Sequence, residues 1–179
     1  GCGFDVLGFA LETPGDEVTA RFAPAGVQIE DIEGDGGRLP RDAARNTASV
    51  AVLALLTRVG EPRGVSLRIR KGLPLSSGLG GSAASAAAAV VAVDALIGAK
   101  SSIDTLLTCA LEGERLGAGS AHADNIAPSL WGGFVLVRRA SPPDVLRLPV
   151  PTGLTAVVIH PNLEIETAKA RALLGTTVP

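Results

Sequence analysis

Between Pro74 and Ser85 the sequence reads PLSSGLGGSAAS, so Gly78, Gly80 and Gly81, with Ser76, Ser77 and Ser82 among them, stand directly before an alanine-rich run. Glycine permits backbone conformations and close approaches that a Cβ would block, and a helix start offers unpaired N–H groups at the positive end of its dipole. Such a loop suits phosphate. It is not a Walker loop, because Gly80-Gly81-Ser82 carries no lysine, and the Rossmann glycine spacing is absent too. The positive charge that phosphoryl transfer needs must come from elsewhere, and a magnesium ion held by a hydroxyl and a carboxylate would supply it. Ser82 is the candidate hydroxyl; its alternative role is a helix N-cap, in a loop that is only a tight strand-to-helix turn.

Periodicity supplies a candidate carboxylate. Ile103, Leu106, Leu107, Ala110 and Leu111 follow the i, i+3, i+4, i+7, i+8 stripe of a core-facing helix, and Glu114 is its next position. At about 100° per residue Glu114 lies about 20° from Ile103 around the axis, whereas Glu112 falls on the other side. An inward carboxylate needs a cation or metal partner; the alternatives are a frayed helix end near Gly117 or a pair with Arg115. A second polar group, His122, Asp124 and Asn125, reads as a short loop of the kind that carries substrate contacts, or as caps of a helix beginning at Ile126. With one histidine and one neighbouring aspartate it is a poor metal site. Thr167 and Arg171, spaced i, i+4, share a helix face and could together grip an anion, although a solvated arginine is commonplace.

The elements that must position these groups are legible in outline. Val18–Phe22 and Val27–Ile32 read as short strands joined at Pro24-Ala25-Gly26, and residues 46–56 read as a buried helix capped by Asn46. Val65-Ser66-Leu67-Arg68-Ile69-Arg70 alternates strictly, which places Val65, Leu67 and Ile69 in a core and the other three in water. Helices are expected over 82–97 and 102–116, strands over 131–138, 145–150 and 154–160, and a last helix over 164–174. This order suggests a two-layer α+β fold.

Composition narrows the function classes. Of 179 residues 46% are hydrophobic and 19% charged, enough to bury a core. A net charge of −2 with 3% aromatics argues against nucleic-acid binding. No apolar run approaches the roughly 18 to 20 residues of a membrane span. Two cysteines make neither a disulfide framework nor a zinc site, and a cytoplasmic location is the default. The chain opens on Gly1-Cys2-Gly3 and contains no methionine, as a segment of a longer protein would.

Taken in order, the motifs resemble those of the galactokinase, homoserine kinase, mevalonate kinase and phosphomevalonate kinase (GHMP) superfamily. The glycine loop carries the superfamily, while Gly3-Phe-Asp-Val-Leu-Gly-Phe-Ala-Leu11, His122-Ala-Asp-Asn-Ile-Ala-Pro128 and Gly132-Gly-Phe134 are most similar to the homoserine kinase branch. The resemblance implies a two-layer GHMP-kinase fold, with a ribosomal protein S5 domain 2-like N-terminal ATP-binding domain over 1–150 and the beginning of a ferredoxin-like C-terminal domain over 151–179. It implies magnesium at Ser82 and Glu114, in agreement with the stripe. ATP would be held by Asn46, near the adenine, and by Pro74, Leu75, Ser76, Ser77, Gly78, Leu79, Gly80, Gly81, Ser82, Ala83 and Ala84. The small-molecule substrate would be L-homoserine: Asp5 would bind its ammonium, Arg171 its carboxylate and Asn125 its hydroxyl, with His122 and Thr167 in the same pocket. Asn125 and Arg171 are then the residues closest to catalysis, and the oligomeric state, a homodimer included, is left open.

Superfamily members with a catalytic base have an aspartate where this chain has Asn125, so the resemblance implies in-line attack driven by alignment and magnesium, with the proton lost late. Asp124 is the alternative base. Gly81 replaces a serine usual in the family loop, and the family's C-terminal glycine-rich segment and a second carboxylate-binding arginine are absent. The chain as it stands is therefore expected to be inactive.

Overall fold

A computed structural model describes residues 3–118 and 122–160. Its elements are β1 (Leu7–Phe9), β2 (Glu17–Ala23), β3 (Val27–Glu33), α1 (Thr47–Val59), β4 (Gly64–Arg70), α2 (Gly81–Ile97), α3 (Ile103–Ala118), α4 (Ala123–Trp131), β5 (Phe134–Arg139) and β6 (Asp144–Leu148). The α+β expectation holds. The strands form two three-stranded sheets, ordered β1-β5-β6 and β2-β4-β3.

Strand β4 is central because its alternation is complete. Val65, Leu67 and Ile69 are at most 1% exposed, while Arg68 and Arg70 face water and pair with Glu30 and Glu17. Those exposed pairs add little stability; register comes from the buried face. That face belongs to one buried core with Val52 and Leu55 of α1, Val90 and Val93 of α2, Leu107 and Leu111 of α3, Ile126 of α4 and Val135 of β5. Both sheets thus share one core. Helix α2 lies in its middle, with Ala83, Ala86, Ala87 and Ala89 buried, and side chains this small let neighbouring elements approach its axis closely.

Three expectations need correction. The strands either side of Pro24-Ala25-Gly26 do not pair with each other: β4 inserts between them, antiparallel to β2 and parallel to β3. Long-range pairing of the strongest apolar alternation overrides a locally plausible turn. No strand is assigned over 154–160, where every residue is exposed. The segment around His122 is not a loop, because α4 begins at Ala123 with His122 at its N-cap position. The helix expected over 164–174, with Thr167 and Arg171, lies outside the described residues.

Candidate active site

Three helices start at one cavity. The cavity, about 760 Å³, is lined by Asn46 and Thr47 at the start of α1, by Gly80, Gly81 and Ser82 at the start of α2, and by His122, Asp124 and Asn125 at the start of α4. The starts of α1 and α2 turn the positive ends of their dipoles to this cavity, which favours an anion there, whereas α4 carries Asp124 in its first turn. Arg38 and Arg45 also line it and add formal positive charge. These two arginines carried no signal in the sequence, where no spacing links them to the loop.

The glycine loop is shaped by a backbone that other residues could not follow. Gly80 is the N-cap of α2 in the left-handed region at φ 70°, with no side-chain cap, and a Cβ added to it would lie 2.8 Å from Asn125 Oδ1. The loop and the start of α4 therefore touch at this glycine. Ser76, at φ 56°, is also left-handed, which stores strain in the loop. Pro74, Leu75, Ser76, Ser77 and Gly78 face the cavity. Leu79 and Ala84 turn instead toward a second cavity of about 490 Å³ beside β1, and the Ala83 side chain is buried in the core.

Ser82 does not cap its helix. Its hydroxyl donates to both carboxylate oxygens of Glu114, at 2.9 and 3.1 Å. Glu114 is 5% exposed at the end of the α3 stripe, and burial raises its carboxyl above the ordinary range, the Ser82 hydrogen bond offsetting this only in part. Arg115 pairs with Glu112, not with Glu114. The stripe itself is as expected except at Ile103, which is 37% exposed at the helix start. A buried carboxylate beside a hydroxyl, both facing an anion-favouring cavity, is a hard-oxygen donor set that fits magnesium.

Asn46 is the α1 cap. Its Oδ1 accepts from Ala48 N–H at 3.0 Å and its Nδ2 donates to Pro40 O at 3.0 Å, which fixes the cavity wall at that end. The neighbouring loop hangs on Asp35, whose carboxylate accepts from Gly37 and Leu39 N–H, both at 3.0 Å. Near Asn125, Asp5 sits in the left-handed region at φ 63° with its carboxylate 3.5 Å from His122 Nδ1. One ligand atom from each of Asp5, His122 and Asp124 falls within 4.8 Å of the others, so this lobe is acidic and suits a cation such as an ammonium. One cavity therefore has an anion-binding end and an acidic end.

Comparison with known proteins agrees with this geometry. Residues 46–133 match the GHMP kinase N-terminal domain. The chain is 48% identical to a homoserine kinase of Chlorobium phaeobacteroides over 97% of its own length and 58% of the relative's, and 45% identical to one of Chloroherpeton thalassium over the same shares. The crystal structure of a homoserine kinase from Cytophaga hutchinsonii superposes with a TM-score of 0.94 at 51% identity, covering 99% of this chain and 57% of that one. The chain thus spans somewhat more than half the length of these relatives. By its matched domain and its relatives the chain belongs to the GHMP kinase family and contains that family's N-terminal domain.

Proposed function

We propose that the protein of which this chain is part transfers the γ-phosphoryl group of ATP to the hydroxyl of L-homoserine. The carrying observation is one cavity on which the starts of α1 and α2, with Arg38 and Arg45, offer positive potential, while Asp5 groups with His122 and Asp124 at the start of α4 to make an acidic end. A triphosphate suits the first and an ammonium the second. The names of the relatives at 45–48% identity support the same substrate.

In this reading the start of α2 and Gly78, Gly80 and Gly81 hold the phosphates, and Asn46, at the start of α1, borders the adenine. Ser82 and Glu114 would hold magnesium, which would supply positive charge beside the transferred group. Asp5 anchors the ammonium; Asn125, against Gly80, orients the hydroxyl at the junction of the two ends. Asn125 cannot take a proton as a carboxylate does, so alignment carries the reaction and the proton leaves late. Arg171 and Thr167, outside the described residues, are assigned to the substrate carboxylate. Residues 1–150 form the nucleotide-binding domain, since the described elements end at Leu148, and a second domain begins at 151. Among the described residues no helix is long and apolar enough to cross a membrane.

The test is ADP release by the full-length protein over a panel of alcohols. Magnesium-dependent release stimulated by L-homoserine supports the assignment. Preference for mevalonate or a sugar would reassign the acidic end, and ATP binding without turnover on any alcohol would make the protein a nucleotide-binding module.

A further inference from the structure

Beyond the last β2–β4 ladder pair, Glu17 with Arg70, the next two residues are Asp16 and Lys71. Their side chains turn inward: Lys71 is 2% exposed and Asp16 wholly buried. The Lys71 ammonium donates to Asp16 Oδ2, to Gly81 O at 2.7 Å and to Ser85 Oγ at 2.9 Å, which uses all three of its protons. Ser85 in turn donates to Asp16 Oδ2 at 2.6 Å, and Asp16 Oδ1 accepts the N–H groups of Gly72 and Leu73 at 3.0 and 3.1 Å. A Cβ on Gly72 would lie 2.0 Å from Gly15 O, so the chain entering the glycine loop is pressed directly against the backbone beside Asp16.

One carboxylate thus grips the entry of the loop through Gly72 and Leu73, while the ammonium it neutralises grips the exit through Gly81 and Ser85. The dipole disfavours a cation at a helix N-terminus, and Asp16 is the compensating charge. Stability alone does not call for such a pair, because well-packed apolar residues in place of a buried ion pair are often at least as stable. We propose that Asp16 and Lys71 are positioning residues that hold the two ends of the glycine loop at the spacing a nucleotide triphosphate requires. The proposal rests on reading that loop as the phosphate site.

The experiment uses the full-length protein and the variants Lys71→Met and Asp16→Asn/Lys71→Met, the double variant leaving no unpaired buried charge. Arg70→Met, in the exposed neighbouring pair, is the control. Equilibrium binding of magnesium-ATP, KM for the alcohol, thermal unfolding and amide exchange over residues 76–82 are measured. The double variant is expected to unfold cooperatively near the wild-type temperature, to bind magnesium-ATP roughly ten- to a hundredfold more weakly and to exchange its loop amides faster. Its KM for the alcohol and the Arg70→Met variant should be unchanged. A folded double variant that binds nucleotide as wild type does would overturn the positioning role alone. Failure of the wild-type protein itself to bind nucleotide would overturn the phosphate-site reading, and this proposal with it.

Discussion

Ser82 Oγ and the Glu114 carboxylate meet at 2.9 Å although 32 residues separate them in sequence. Two helix geometries produce the contact. Ser82 is the second residue of α2, directly after the glycine loop, and the α3 stripe turns Glu114 inward, where burial raises its carboxyl. A buried acid whose protonation is costly to reverse gains most from a bound divalent cation.

Glu114→Gln keeps the size of the side chain and an acceptor for Ser82 but removes the charge. Turnover should fall by roughly 10²–10³-fold, while thermal stability without magnesium holds or rises, because a costly buried charge has gone. Steady-state kinetics and unfolding on the same preparation check both halves.

Gly80→Ala places a methyl 2.8 Å from Asn125 Oδ1 on a backbone at φ 70°. The left-handed strain alone should cost about 1–2 kcal/mol, and displacement of Asn125 should lower kcat as well as nucleotide affinity. Denaturant titration gives the first number. A variant with wild-type kcat would show that the Gly80–Asn125 contact is incidental.

Asp5→Asn removes the charge of the acidic end. The loss of about 2 kcal/mol expected for a charged hydrogen bond is a roughly 30-fold rise in KM for an amino-alcohol substrate. KM for ATP should stay put, and a parallel rise in both constants would mean that Asp5 shapes the whole cavity.

Asp35 sets a pH dependence of stability. Burial alone would raise its carboxyl, but the N–H groups of Leu39 and Gly37 and the Arg41 guanidinium outweigh burial and hold it below the usual aspartate value. A carboxylate lowered by folding stabilises above its unfolded pKa, about 3.9, and that contribution is lost as pH falls through the folded value. Asp35→Asn should therefore destabilise at neutral pH by about 1–2 kcal/mol, with the difference from wild type shrinking as the solution is acidified below about pH 4. Urea titrations across that range check it.

Much of the fold and the site was legible in the sequence wherever one short segment carried its own signal. The β4 alternation, the alanine-rich α2, the Asn46 cap and the inward turn of Glu114 each follow from periodicity or capping chemistry within one element. The β2–β4–β3 order was not legible, because strand partners are chosen by long-range packing and the Pro24-Ala25-Gly26 turn is compatible with either arrangement. Helix α4 was legible only as the alternative of a helix beginning at Ile126, because it is short, carries Pro128 inside it and opens on His122 without a side-chain cap. Lys71 and Asp16 lie 55 residues apart, and no local pattern marks either of them. The Asp5, His122 and Asn125 grouping came from the family resemblance; the physical reason they meet, the start of α4 beside the glycine loop, is visible only in three dimensions.

The central claim is transfer of phosphate to the homoserine hydroxyl, and phosphorus NMR of the full-length protein with magnesium-ATP and L-homoserine tests it most directly. A new phosphomonoester resonance should grow in step with ADP, and roughly 10²–10³-fold more slowly in Glu114→Gln. ATP consumed to ADP and free phosphate alone, with no ester formed on homoserine, would contradict it.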